Sequence, residues 1–149
     1  LVSVERSVTG IPERSVQDAH QVRRARQTLR EGMVCMGEGR IEEAVELLRQ
    51  SVSIDPFDDR AQYYLGRAHL QISELPQAVQ ALERAVALNA NGYSAWSALA
   101  KAYELIGRSA DALETWRDAA ILAPNDASRR TIQKRIKTLE TRTTTDGID

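Results

Sequence analysis

A chain of 149 residues with 28% charged and 42% hydrophobic side chains is one domain's worth of ordinary globular sequence, long enough to bury a core. Its net charge of −1 argues against a general affinity for nucleic acid or membrane surfaces. One cysteine, Cys35, excludes an internal disulfide and any multi-cysteine metal site. No apolar run approaches the roughly 18 residues of a membrane span, and Glu5 and Arg6 break any secretory core at the start. The free thiol favours a reducing, cytoplasmic setting, while a first residue Leu1 rather than Met leaves room for a missing upstream segment. Charge is uneven along the chain. Residues 25–126 hold 15 acids against 10 bases, and residues 127–149 hold six bases against three acids.

Taken in order, residues 1–14 lack a helical period and contain Gly10-Ile11-Pro12, which reads as a flexible or extended lead-in. Ser15, with Asp18 in the following turn, suits a helix start. Val16, Ala19, Val22, Ala25, Leu29, Met33 and Met36 then recur at spacings of three and four, the signature of an amphipathic helix. Gly37 and Gly39 end it.

From there the chain repeats itself. Moved forward by 34 positions, Leu65, Ala68, Ala78 and Ala85 fall on Leu99, Ala102, Ala112 and Ala119, while Gly66 becomes Ala100 and Leu82 becomes Trp116. Moved back, a looser copy keeps Gly32, Ala44, Leu48 and Pro56. A period of this length signals stacked structural repeats, about three being needed for a stable array. Each copy (25–58, 59–92 and 93–126) reads as a helical hairpin, with Pro76 at the start of a second helix. Small residues recur where helices cross: Gly32, Gly66 and Ala100 on first helices, Ala44, Ala78 and Ala112 on second ones. Residues 127–140 form a non-repeating cap helix with an apolar stripe of Ile132, Ile136 and Leu139. Residues 141–149 read as a frayed polar tail.

The pattern resembles the tetratricopeptide repeat family over residues 25–126. The third copy carries it best, through Trp96, Leu99, Tyr103, Ala112, Ala119 and Pro124; the second has His69 for the tyrosine and the first has Cys35. The resemblance implies an all-α, right-handed solenoid of three helix-turn-helix repeats, with an extended N-terminal helix and a C-terminal cap. It implies a concave groove that binds peptide segments of other proteins, with no catalysis. Chaperone-binding members grip a terminal carboxylate with lysines, asparagines and an arginine. The matching places here hold Leu29, Met33, Tyr64, Ser94 and Ala98, so that role is not expected.

The expected groove residues are Arg26, Leu29 and Met33 from the first copy, Arg60, Tyr63, Tyr64 and Arg67 from the second, and Ser97, Lys101 and Glu104 from the third. That set offers an apolar anchor beside cations able to pair a carboxylate. The alternative is a self-associating structural module, joined through the extended first helix, or an interaction fragment of a larger protein. No metal site, cofactor or enzyme activity is expected. Neither histidine has a second ligand at metal spacing, and Gly37-Glu38-Gly39 lacks the lysine and preceding strand of a phosphate loop. The basic cap helix (Arg129, Arg130, Lys134, Arg135, Lys137) reads as a solvated face rather than a nucleic-acid surface.

Overall fold

The computed structural model describes residues 2–145, with side chains from residue 17 onward. Val16 of the apolar stripe and residues 146–149 of the tail therefore lie outside the described side chains. Every regular element among the described residues is an α-helix: α1 (Val2–Gly37), α2 (Ile41–Ile54), α3 (Asp59–Gln71), α4 (Leu75–Leu88), α5 (Tyr93–Ile106), α6 (Ser109–Ile121) and α7 (Asp126–Thr145). Two compact units are formed, residues 1–58 and 59–149. In the first, α1 packs on α2. In the second, α3 pairs with α4, α4 with α5, α5 with α6, and α6 with α7, so within that unit each helix packs on the next.

The hairpins are made by one turn used three times. Gly39, Ser73 and Gly107 take φ values of 78°, 60° and 86°. Their amides donate to the carbonyls of Met36, Leu70 and Glu104 at 3.2 Å, and the next amides, of Arg40, Glu74 and Arg108, donate to Cys35, His69 and Tyr103 at 2.9 Å. These paired bonds satisfy carbonyls that a helix end would otherwise leave open. Glycine reaches this left-handed backbone without steric cost; Ser73 reaches it against the preference of an L side chain.

Close helix approach explains the small-residue seam. A Cβ added at Gly66 would stand 2.5 Å from Cγ of Leu82 and 3.2 Å from the Ala78 carbonyl oxygen; at Gly32 it would stand 2.8 Å from Cγ of Leu48. Leu48 and Leu82 are fully buried, as are Ala44 and Ala78. In the third copy the branched leucine has given way to the planar indole of Trp116, and Ala100 fills the glycine place, also fully buried.

A second contact crosses the turn of each hairpin in the 59–149 unit. The Arg108 guanidinium lies 4.6 Å from the ring centre of Tyr103, which also donates its hydroxyl proton to Glu83 on α4 of the preceding hairpin at 2.6 Å. One period earlier, Nδ1 of buried His69 lies 2.7 Å from the Glu74 carboxylate. Burial, followed by the bond to Glu83, pushes the Tyr103 phenol up to about 12.

Both ends of the chain differ from the sequence reading. Helix α1 starts at Val2, so the lead-in expected over residues 1–14 is helical from its second residue, and Gly10 and Pro12 do not end the helix. Their stop signal is a local preference of about 1 and 3 kcal/mol relative to alanine, which the backbone here overrides. Helix α7 runs to Thr145 rather than Glu140. Thr141, Thr143, Thr144 and Thr145 each donate a hydroxyl proton to a carbonyl three or four residues back, so polar composition did not mean fraying. On the same first helix, Cys35 is buried, while Met33 of the apolar stripe is only partly covered.

Two outcomes follow from this packing. Gly66→Ala is expected to destabilise the protein by about 1–3 kcal/mol through overpacking. In a Leu82→Ala background the same change is expected to be neutral or stabilising by up to about 1 kcal/mol, from helix propensity alone. Urea unfolding of the four proteins measures the cycle; an equal cost in both backgrounds would refute the steric account. For Tyr103, the raised folded value means its contribution is complete below the ordinary value near 10 and declines as pH climbs towards 12. Wild type is expected to lose more stability than Tyr103→Phe between pH 9 and 12, with equal slopes counting against it.

Candidate functional site

The 59–149 unit carries an open groove of about 560 Å³ bounded by α3, α5, α6 and α7. Its walls follow from helical spacing. Tyr63, Arg67 and Leu70 stand at i, i+4 and i+7 on α3, and Ser94, Ser97 and Lys101 at i, i+3 and i+7 on α5, so each set shares one helix face. Arg67 and Lys101 are one 34-residue period apart, as are Tyr63 and Ser97. Small side chains on α5 (Ser94, Ser97, Ala98) leave space beside the rings of Tyr63, Tyr93 and Trp116.

Charge in the groove is of two kinds. Arg135, from α7, donates to both carboxylate oxygens of Glu104 at 3.0 and 3.2 Å and lies 5.4 Å from the Trp116 ring centre. The same carboxylate accepts the Trp116 indole proton, so this cation is neutralised and held in place. Arg67 lies 5.6 Å from the Tyr63 ring centre. Both Arg67 and Lys101 are exposed, and neither has an acidic partner among the described residues. An incoming anion therefore meets two uncompensated cations beside aromatic surface.

The expected set divides accordingly. Tyr63, Arg67, Ser97 and Lys101 line this groove. Glu104 is spent on Arg135 and Trp116, and Tyr64 packs edge-on against Tyr63 with ring centres 5.1 Å apart. Arg60 is exposed at the start of α3, outside the lining. Arg26, Leu29 and Met33 belong to the other unit, and Leu29 is a core residue only 3% exposed. Leu29 faces α2 because it lies on the same helix face as Ala25 and Gly32, which corrects its expected place on a groove floor. Sequence reasoning missed Tyr93, Trp116, Thr131 and Arg135. The available signal for Arg135 was its place beside Ile132 and Ile136, at the edge of the cap helix's apolar stripe. No group of three or more potential metal ligands occurs among the described residues, and none of their helices is long and apolar enough to cross a membrane.

Comparison with known proteins agrees with this architecture. The tetratricopeptide repeat family model matches residues 36–98. Among solved structures, the first such domain of Spaghetti (RPAP3), bound to the HSP90 peptide SRMEEVD, superposes with a TM-score of 0.75 at 17% identity, over 82% of this chain and 94% of its own. The TPR2B domain of yeast Sti1, in a pHsp70 complex, gives 0.73 at 21% identity over 80% and 98%. MamA gives 0.67 at 25% identity over 83% and 80%. No curated protein matches by sequence. The chain shares the all-α, helical-repeat fold of these domains, and residues 36–98 match the tetratricopeptide repeat.

Proposed function

We propose that the protein is a non-catalytic interaction scaffold that holds an acidic peptide segment of a partner in the groove of residues 59–149. One observation carries the reading: Arg67 and Lys101 stand without acidic partners at the edge of an aromatic-walled groove. An apolar or aromatic side chain of the ligand enters beside Tyr63, Tyr93 and Trp116, and a neighbouring carboxylate pairs with Arg67 and Lys101. Arginine adds directional, two-pronged pairing, and aromatic residues carry much of the energy at such surfaces. The peptide-bound state of a structural neighbour supports the reading. A fluorescein-labelled peptide, Gln-Gln-Ser-Trp-Ser-Glu-Glu, tests it by anisotropy at low salt. Arg67→Glu/Lys101→Glu is expected to weaken binding by about tenfold or more, or 1.4 kcal/mol, with helicity unchanged. Equal binding by both proteins would remove the groove from the account.

A second reading, self-association through the first hairpin, has its own support. Val34 is 56% exposed, whereas Ala68 and Ala102, one and two periods later, are fully buried. Val34 also lines an open hollow of about 410 Å³ with Cys35 and Leu47 between α1 and α2. A second copy covering this face would bury it as α4 covers the matching face of α5. Sedimentation at tens of micromolar is expected to show a dimer that Val34→Glu dissociates; a monomeric wild type would dismiss the idea.

A further inference from the structure

Beyond the Arg135–Glu104 pair lies another hollow, of about 280 Å³, which the groove reading leaves unused. It is bounded by Glu104 on α5 and by Lys134, Arg135, Thr138, Leu139 and Arg142 on α7. Lys134, Thr138 and Arg142 follow at intervals of four and so share one face of α7. Lys134 and Arg142 are about 12 Å apart along the axis, at 1.5 Å per residue. Both are exposed, and neither has an acidic partner among the described residues. Thr138 has already donated its hydroxyl proton to the Lys134 carbonyl at 2.9 Å, so attraction for an anion here falls to the two cations. Buried Leu139 supplies an apolar floor.

Arg135 borders both hollows. Because Glu104 neutralises it, the wall between them is flat in charge, with one pair of uncompensated cations on either side. We propose that the α7 hollow is a second anion subsite, which takes an acidic residue on the far side of the anchor from the carboxylate held by Arg67 and Lys101. This rests on the groove reading and narrows its ligand to a peptide with acids on both flanks of an apolar residue. Two discrete cation pairs separated by a neutral wall suit spaced carboxylates better than the evenly charged backbone of a nucleic acid.

Two labelled peptides separate the two ideas: Glu-Glu-Ser-Trp-Ser-Glu-Glu, acidic on both flanks, and Gln-Gln-Ser-Trp-Ser-Glu-Glu, acidic on one. Wild type is expected to bind the first about tenfold more tightly than the second, equivalent to 1.4 kcal/mol. Lys134→Gln/Arg142→Gln is expected to erase that preference while binding the one-flank peptide as wild type does, and Lys134→Arg/Arg142→Lys is expected to keep it. Circular dichroism checks that α7 persists in each variant. A preference that survives Lys134→Gln/Arg142→Gln, or equal wild-type affinity for the two peptides, overturns the second subsite and leaves the groove intact. Loss of all peptide binding by wild type overturns both. Tighter binding of a labelled DNA duplex than of either peptide, abolished by Lys134→Gln/Arg142→Gln, would assign the hollow to nucleic acid and overturn the proposal.

Discussion

The distance between paired helices is the constraint on which the rest depends. At Gly32 and Gly66 the opposing leucine comes so near that even one methyl group would collide with it. That approach lets Ala44, Leu48, Ala78 and Leu82 be fully enclosed, and it fixes where the outer faces of the helices lie. Interiors packed at crystal-like density transmit small displacements rather than absorbing them. Arg67 stands on the helix that carries Gly66, so its position follows from the seam behind it, and Lys101 follows Ala100, the fully buried residue at the same place in the next copy.

Most of the fold could be read from the residues because its determinants are local and periodic. Helices α2, α4 and α6 start at Ile41, Leu75 and Ser109, each 34 residues after the last. The glycines and alanines that mark close crossings are visible in the text. The ends resisted such reading. Gly10 and Pro12 suggested an interruption where the helix continues, and the threonine-rich stretch after Glu140 suggested fraying where hydroxyls bond back to the helix. Local propensity is a weak guide where no repeat supplies a second copy to compare.

The candidate site was half legible for a related reason. Tyr63, Arg67, Ser97 and Lys101 sit at corresponding places in successive repeats, so the repeat register, with the groove that the family resemblance implied, grouped them. Arg135 and Trp116 depart from the repeat: one lies on the cap helix and the other replaces a leucine. Their contribution depends on a contact across 31 residues, Arg135 with Glu104, which no local pattern reveals. Leu29 fails in the opposite sense. Its expected place was a groove floor, but its spacing from Ala25 and Gly32 puts it on the buried face of the hairpin.

The setting of Trp116 has a practical consequence. Its indole proton is held by a carboxylate, a guanidinium lies over its ring, and part of it borders the groove. The other indole, Trp96, donates to the Ala90 carbonyl and lies outside the groove lining. The protein thus contains its own optical gauge: an occupant arriving beside Arg135 alters the local field at one fluorophore while the second supplies a steady background.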